Sequence, residues 1–474
     1  MKKDKILIYL MILISIALCI PSIIYLINNK TVDGFDAYYT YTLVKSNSEI
    51  IRFGSGFLII GLLIAFSIIY FFIIKKENKI FKDKKQILIF IILISFVFMI
   101  ILPYLSSDIY YYIGDSWLAA KYKANPYYTS VTDLQNAGIN DEILNNTGYW
   151  KDTTSVYGPL WNSIAKLLVS FSFGNVTIAL FVFKFASYLI HVLNSYLIYK
   201  ITKSKKYMLL YGLNPLILIE FLSNVHNDIY LVLFILLSLY FLVRGKNIYF
   251  TIIFLALSVS IKYSTLLLVP FILIYCFRNK TIPKRILYCF ISGVSIIGLV
   301  VLMYLPYYRD YTIFTNMLVQ GSRYSQSILT FLMLKGNKAI FELISKLARP
   351  IFIIIYINLL AFYVFKRKVT LRELMRSYNF VMLVFIFLVL TNFQKWYILW
   401  ILPTIIWQNK GMRKFIMYLT VTAIIPSMGY FCVQGDPYMV GMIYSIVILL
   451  LSIGLLSYKK EIYIINKKER KCLD

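Results

Sequence analysis

The sequence predicts an all-α, polytopic membrane protein with about fourteen membrane-spanning helices. Three properties of the 474 residues predict this fold class: 60% are hydrophobic, only 15% are charged, and the mean hydropathy is +0.74. Uncharged apolar runs recur along the chain, at or near the roughly 20 residues that a helix needs to cross a bilayer. The formal net charge of +28 does not indicate nucleic-acid binding, because the basic residues form short clusters between apolar runs instead of one basic face.

The apolar runs that define the predicted spans lie at residues 6–27, 54–74, 87–105, 176–199, 207–222, 229–243, 248–261, 264–277, 286–306, 350–365, 378–391, 397–407, 415–433 and 438–457. No small-residue cleavage site follows the first run, so we expect a retained first helix rather than a signal peptide. Runs such as 229–243 and 248–261 are too short to cross a ~30 Å hydrocarbon core unaided. We therefore expect them to be buried in the bundle, with their polar ends lining a hollow on the outer side.

Basic clusters predict the orientation of the chain in the membrane. If the N-terminus is cytoplasmic, clusters such as Lys75-Lys76 and Lys366-Arg367-Lys368 fall on the cytoplasmic side, as the positive-inside rule requires. Both termini are then predicted to be cytoplasmic.

The same topology predicts the large loops. We expect one transmembrane domain over residues 1–474, with extracytoplasmic loops at 106–173 and 307–349 and a basic cytoplasmic tail at 458–474. The end of the first loop, 159–173, is too short and polar for a span and fits a helix lying along the interface. The five cysteines show no CxxC pair and no paired spacing in an outside loop, so neither a disulfide framework nor a zinc site is predicted.

Asp108 is the first candidate catalytic residue. It follows the apolar run that ends at Leu105 and precedes Tyr110-Tyr111-Tyr112, which places a carboxylate at the membrane–water boundary. A carboxylate in that position is costly unless it faces a wet cavity or a partner, and it suits a general base. The alternative is that Ser107 and Asp108 only cap the helix that follows.

A second polar cluster is His226-Asn227-Asp228, at a predicted outer turn between two short spans. The functional interpretation is a set of donors and a carboxylate that bind a sugar or a phosphate. The alternative is a polar turn in which Asn227 and Asp228 cap the next helix.

Four further residues could bind an anionic or sugar-containing ligand. Lys262 is a lone cation among apolar residues at a predicted outer helix end, where a lipid phosphate is the expected partner and snorkelling to headgroups the alternative. Arg323 offers another cation in the second loop. Trp396 and Tyr397 begin a short run and suit either ring stacking or an interface belt.

Taken in chain order, these motifs resemble those of the GT-C superfamily of membrane glycosyltransferases, and within it the bacterial polyprenol-phosphate-mannose-dependent alpha-1,6-mannosyltransferases. The resemblance rests on Ser107-Asp108-Ile109-Tyr110-Tyr111-Tyr112, Asn125-Pro126-Tyr127, Tyr157-Gly158-Pro159-Leu160, Asn214-Pro215-Leu216 with Glu220 and His226-Asn227-Asp228, Ile261-Lys262-Tyr263, and Trp396-Tyr397-Ile398-Leu399-Trp400-Ile401-Leu402-Pro403. A proline is expected in the family just before Trp396, where this chain has Gln394-Lys395. That departure leaves the donor or acceptor open.

The resemblance implies a GT-C-like fold and an inverting transfer of a hexose, mannose above all, from a polyprenyl-phosphate donor at the outer face of the membrane. Asp108 would be the catalytic base, and Asp228 the next carboxylate to test. Asp228, His226, Asn227, Lys262, Tyr157, Arg323, Trp396 and Tyr397 would bind donor or acceptor. A divalent metal is possible but not required, since cations such as Lys262 can hold the leaving phosphate. The acceptor, a glycan, lipid or protein, stays open.

Two other functions share the lipid-linked substrate. A transporter or flippase would have Pro- or Gly-broken helices at matched positions of two halves, with charges at mid-membrane, whereas the polar residues here gather at one predicted face. A polymerase of lipid-linked polysaccharide resembles this order of motifs less well.

Overall fold

The computed structural model describes residues 2–28, 49–245, 247–315, 327–335, 338–425 and 444–457. Every regular element in these ranges is a helix. The predicted all-α class is therefore confirmed. Contacts divide the chain into two compact units, the first made of residues 1–196, 205–233 and 303–318, and the second of 197–204, 234–302 and 319–474.

Five helices in the described ranges are long and apolar enough to cross a membrane: Asp4–Asn28, Leu58–Lys75, Val176–Thr202, Ile282–Tyr307 and Lys338–Phe365. A sixth span results if Pro215–Ser223 and Asp228–Val243, which meet at 119°, count as one broken helix. The chain is thus a helical membrane protein, but the structure does not support about fourteen spans.

Part of the difference comes from apolar runs that fold as short pieces, and the predicted spans at 415–433 and 438–457 lie partly outside the described residues. The run 264–277 divides into a 3₁₀ turn, Tyr263–Leu267, and a short helix, Val269–Cys276, that has Pro270 in its first turn. The run 397–407 forms a 3₁₀ helix, Lys395–Trp407, interrupted by Pro403. Hydropathy reports how apolar a segment is, not whether its partner is lipid or protein, so buried short helices are counted as spans.

The helices that begin in the first unit are α1 (Lys2–Asn28), α2 (Glu49–Lys75), α3 (Lys84–Ile100), α4 (Asp108–Lys121), α5 (Pro159–Ser170), α6 (Val176–Thr202), α7 (Lys205–Gly212) and α8 (Asp228–Val243). Short turns of helix accompany them at Glu77–Ile80, Val131–Asn136, Glu142–Asn145, Gly148–Trp150, Pro215–Ile217, Leu305–Tyr307 and Tyr311–Phe314, and a π-helical segment at Leu218–Ser223.

The helices that begin in the second unit are α9 (Ile248–Val259), α10 (Val269–Cys276), α11 (Ile282–Tyr304), α12 (Ile328–Lys335), α13 (Lys338–Phe365), α14 (Leu371–Val384), α15 (Lys410–Thr422) and α16 (Tyr444–Ser457). A π-helical segment, Phe385–Val389, follows α14. The 3₁₀ helix Lys395–Trp407 packs on α14, where Gln408 Nε2 donates to the Met375 carbonyl at 2.9 Å and Arg376 Nε donates to the Trp407 carbonyl at 3.2 Å.

Within the first unit, α4 packs on α5 through aromatic side chains. The Trp161 ring lies edge-on between Tyr112 of α4, at 5.2 Å, and Tyr230 of α8, at 5.3 Å. Pro159 begins α5 at a position that needs no N–H donor. This core fixes the face of α4 that carries Asp108.

Candidate active site

Asp108 is the first residue of α4, and its carboxylate binds side chains rather than the helix end. Oδ1 accepts from the Trp150 indole N–H at 3.2 Å, and Ser107, the N-cap residue, makes no side-chain cap hydrogen bond. The alternative that Ser107 and Asp108 only cap the helix therefore has no such bond to support it. The N-terminal end of α4 still favours the negative charge of Asp108 through the helix dipole.

His226 connects Asp108 to a second carboxylate. His226 Nδ1 lies 3.6 Å from Asp108 Oδ2, and His226 Nε2 lies 3.2 Å from Glu220 Oε2. The side chains of His226 and Glu220 are fully buried, whereas that of Asp108 is 20% exposed. The three groups thus form a carboxylate–imidazole–carboxylate chain that opens to solvent at Asp108.

Local backbone geometry explains how His226 and Glu220 meet. Glu220 lies in the π-helical segment, a widened helix turn that is common at functional sites. Val225 then adopts a φ of +60°, which is strained for a β-branched residue and turns the chain sharply. The His226 backbone N–H donates to the Glu220 carbonyl at 2.9 Å. The π-helical turn and the strained valine together bring the imidazole back over the glutamate.

Asn227 and Asp228 follow on the same turn and are fully buried. Among the described residues, neither polar atom of the Asn227 amide has a hydrogen-bond partner, a state that costs about 1–3 kcal/mol. Asn227 therefore does not cap α8 through its side chain. Such an orphaned amide beside a carboxylate–imidazole chain is the kind of group that a bound polar ligand can satisfy.

Tyr112 lies close enough to Asp108 and Asp228 for both carboxyl groups to affect the pKa of its phenol. Burial, together with the nearby Tyr157, Asp108 and Asp228, raises the pKa of the Tyr112 phenol well above its ordinary value. The Tyr157 hydroxyl donates to the Tyr112 hydroxyl at 3.4 Å, and the two rings pack edge to face at 5.3 Å. Tyr157, expected from the sequence to bind ligand, thus contacts this site through Tyr112, which stays a neutral phenol.

Three residues of this site, Tyr112, Glu220 and Trp150, were not among the candidate site residues, although Tyr112 and Glu220 belong to the motifs that carry the resemblance. Tyr112 follows Asp108 by one helical turn, so the spacing on α4 could have found it. Trp150 belongs to a short turn of helix 42 positions after Asp108. No pattern in the sequence predicts that the side chains of Trp150 and Asp108 are in contact.

Asp141 organises the loop that carries Trp150. Its carboxylate accepts from Trp117 Nε1 at 3.0 Å, from Lys121 Nζ at 2.7 Å and from the Tyr122 hydroxyl at 2.9 Å. Burial raises the pKa of Asp141, but these hydrogen bonds and one from the Leu144 backbone outweigh it, so that the pKa lies below its ordinary value. The charged carboxylate of Asp141 thus connects α4 to the loop through these hydrogen bonds.

Asp115 is a second acid on α4, two turns after Asp108 and on the same face. Burial raises its pKa well above the ordinary value, and a hydrogen bond with Ser155 offsets part of that effect. The Ser155 hydroxyl donates to Asn162 Oδ1 at 3.1 Å.

The remaining candidates fall in the second unit or outside the described residues. Lys262 Nζ lies 5.0 Å from the centre of the Tyr397 ring and 5.5 Å from that of Trp400, and these two rings stack at 4.2 Å. Trp396 packs edge-on against Tyr397 at 6.0 Å. Lys262, Trp396 and Tyr397 thus form a cation–aromatic cluster of their own. Arg323 and the 458–474 tail lie outside the described residues.

No group of three or more His, Cys, Asp or Glu side chains among the described residues has a geometry that could hold a metal ion.

The comparison with known proteins decides the family. Residues 31–278, just over half of the chain, match the family described as alpha-(1->6)-mannopyranosyltransferase, N-terminal domain. The chain belongs to this mannosyltransferase family. Neither a curated protein nor a solved structure gives a match. The expected resemblance is thus confirmed, and the protein is a membrane glycosyltransferase that acts on mannose.

The family match includes both candidate carboxylates and the residue between them. Asp108, Glu220 and His226 all fall within 31–278, as does Lys262, whereas Tyr397 falls after its end.

Proposed function

We propose that this protein transfers mannose from a polyprenyl-phosphate donor to an acceptor hydroxyl at the outer face of the membrane, with inversion at the anomeric carbon and Asp108 as the catalytic base. The observation that carries the proposal is the Asp108–His226–Glu220 chain, whose exposed end is Asp108. A GT-C-like fold with cytoplasmic termini belongs to the same proposal, supported by the helical membrane architecture and the basic clusters.

An inverting transfer needs one base and no covalent intermediate. Asp108 removes the proton from the acceptor hydroxyl while the oxygen of that hydroxyl attacks the anomeric carbon. The bond between that carbon and the phosphate oxygen breaks with its electron pair, and polyprenyl phosphate leaves. General base catalysis of this kind contributes typically 10²–10⁴-fold to a rate.

His226 and Glu220 extend the path of the proton beyond Asp108. His226 Nε2 lies 3.2 Å from Glu220 Oε2, so the other ring nitrogen, Nδ1, is on the side of Asp108. A proton taken up by Asp108 can then pass to Nδ1. The 3.6 Å distance from Nδ1 to Asp108 Oδ2 is one that substrate binding can shorten, since catalytic hydrogen bonds often tighten in the complex.

The donor's phosphate requires a cation. Lys262 is the proposed ligand because its ammonium group lies over the Tyr397 and Trp400 rings, and an ammonium held by ring faces keeps its charge available for an anion. Arg323 stays a second candidate from the sequence. The proposal needs no metal, and the acceptor, whether glycan, lipid or protein, follows from the experiment rather than from the site.

The test is transfer of radiolabelled mannose from polyprenyl-phosphate mannose to membrane acceptors. Membranes with the wild-type protein, Asp108→Asn and Asp152→Asn are compared at matched expression. Asp152 is an exposed acid of the same loop, so its variant should keep full activity, while Asp108→Asn should lose at least about 100-fold. Equal activity of all three proteins would remove Asp108 from the chemistry.

A different failure would point to another class. If the wild-type protein moves no label from any lipid donor, while lipid-linked glycan accumulates on the inner leaflet of cells that lack the gene, the protein is a transporter of lipid-linked glycans.

A further inference from the structure

Lys184 is a buried cation in the middle of α6 that the proposed chemistry does not use. Its side chain is fully buried, and Nζ donates to three main-chain carbonyls: Ile101 at 2.7 Å, Leu222 at 2.8 Å and Ser223 at 2.8 Å. An ammonium group has three donors, so all of them are used. Within the described chain, the ion pairs of acidic side chains do not include Lys184.

The three carbonyls belong to two helix ends. Ile101 is the C-cap residue of α3, and Leu222 and Ser223 end the π-helical segment. Carbonyls at a helix C-terminus lack partners within the helix and carry the negative end of its dipole. One ammonium therefore caps both helix ends at once and holds them together through charge-assisted hydrogen bonds.

Both helix ends lead directly into the catalytic chain. The segment that follows Ile101 reaches Asp108 after seven residues, and the segment that follows Ser223 reaches His226 after three. Asn224 ties the same two segments: its Oδ1 accepts from the Tyr104 and Leu105 backbone N–H groups at 3.3 Å, and its Nδ2 donates to Glu220 Oε2 at 3.0 Å.

A further bond joins α3 to the π-helical segment. The Ser223 hydroxyl donates to the Phe98 carbonyl at 3.2 Å. The segments that carry Asp108 and His226 are thus joined by the hydrogen bonds of three neighbouring side chains, those of Lys184, Asn224 and Ser223.

We propose that Lys184 is a positioning residue that sets the separation of Asp108 and His226, and through it the rate of the transfer step. This inference rests on the proposed function in that Asp108 and His226 carry the reaction. Without the ammonium, three helix-end carbonyls lose their partner and the two segments separate. A misplacement of about 1 Å in a catalytic group can lower a rate by about 100-fold.

The experiment combines kinetics with a double-mutant cycle. Lys184→Met keeps the length of the side chain and removes the charge, and Lys200→Met, in the last turn of the same helix, is the matched control. We expect Lys184→Met to lower kcat by about 10- to 100-fold, with the KM for the lipid donor within about twofold of wild type, since a displaced catalytic pair affects the reacting geometry rather than donor binding.

Coupling to His226 separates positioning from a general structural role. In a His226→Asn background, the loss caused by Lys184→Met should shrink to less than about threefold, because the distance that Lys184 sets no longer matters. An undiminished loss in both backgrounds would overturn the proposal and leave Lys184 a structural residue only.

Ser223→Ala provides a milder variant in case Lys184→Met does not accumulate. It removes one bond between the same segments, so we expect a smaller loss of kcat, of about two- to fivefold, that again disappears with His226→Asn. If the loss persists in that background, the proposal fails.

Hydrogen exchange supplies a readout that does not depend on the donor. Faster exchange of residues 101–108 and 222–226 is expected in Lys184→Met but not in Lys200→Met, and unchanged exchange would contradict the inference. If exchange rises as expected while the wild-type protein itself transfers no mannose from any donor, the proposed function fails and the anchoring role of Lys184 stands.

Discussion

His226 Nδ1 lies 3.6 Å from Asp108 Oδ2, and the opposite nitrogen of the same ring lies 3.2 Å from Glu220 Oε2. An imidazole between two carboxylates can hold a proton that either neighbour releases. Because Glu220 and His226 are fully buried and Asp108 is 20% exposed, Asp108 is the end of this chain that a substrate can reach. In the proposed function, the proton of the acceptor hydroxyl therefore enters at Asp108.

Glu220→Gln tests the inner end of this chain. Glutamine keeps the shape of the side chain beside His226 Nε2 but lacks the carboxyl group, so we expect kcat to fall by about 10- to 100-fold. The measurement is kcat and kcat/KM for mannose transfer, with Glu342→Gln, an exposed acid, as control. Normal values in Glu220→Gln would exclude Glu220 from the reaction.

Gly114→Ala tests the packing that places Trp150. A Cβ on Gly114 would overlap the side chain of Thr147, three residues before Trp150. Overpacking of this kind costs about 1–3 kcal/mol, and a displaced Trp150 would release Asp108. We expect a lower unfolding temperature and at least about tenfold lower activity.

A second substitution should relieve the same overlap. Thr147→Gly added to Gly114→Ala is expected to restore part of the activity. Gly298→Ala is the control, since no atom lies within 4 Å of the added carbon, and that variant should be neutral or slightly more stable. Equal effects of Gly114→Ala and Gly298→Ala would contradict the packing account.

Asp115→Asn tests the buried acid. Its raised pKa means that the folded protein keeps a proton which the unfolded chain releases above about pH 4. The contribution of Asp115 to stability is therefore present below that pH and is lost as pH rises toward the folded-state pKa. Asparagine does not titrate, so the variant should lose less stability than wild type between about pH 4 and 8. Unfolding temperatures in detergent across this range give the comparison, and parallel curves would refute it.

Asp141→Asn should show the opposite dependence. The pKa of Asp141 is lowered, so its contribution to stability is present at neutral pH and is lost as pH falls through the folded-state value. At neutral pH we expect a loss of about 2 kcal/mol or more, because hydrogen bonds from Lys121, Trp117 and Tyr122 lose a charged acceptor. Limited proteolysis of the 131–157 loop measures the effect, which should shrink as pH falls through the folded-state pKa. If Asp141→Asn resists proteolysis as well as wild type at pH 7, the hydrogen bonds of Asp141 do not stabilise the loop.

Lys262→Met tests the cation–aromatic cluster. If Lys262 binds the donor's phosphate, its loss should raise the donor KM about tenfold, which corresponds to about 1.4 kcal/mol, with a smaller change in kcat. Lys262→Arg should keep most of the affinity, because a guanidinium also binds phosphate and stacks on rings. A lysine that only snorkels to headgroups would leave the donor KM unchanged in both variants.

The candidate site was predictable only where its signals are local. Asp108 and His226 could be chosen from the sequence because a polar residue at the end of an apolar run is costly and therefore informative. The contact between Asp108 and His226 could not be predicted, since it depends on a π-helical turn and a strained Val225 between Glu220 and His226. The contacts of Trp150 and Lys184 could not be predicted for the same reason, because their partners lie dozens of positions away in the chain.

The sequence by itself determined the all-helical class, the membrane as solvent and the mannosyltransferase family, because hydropathy and motif order are properties of the chain. Only the tertiary structure decided which apolar runs are long helices, since a run such as 397–407 satisfies hydropathy whether lipid or protein covers it. It also decided that Lys184 caps two helix ends and that His226 lies between two carboxylates. Such contacts form when distant segments fold together to satisfy buried polar groups, and no local pattern specifies which partners they find.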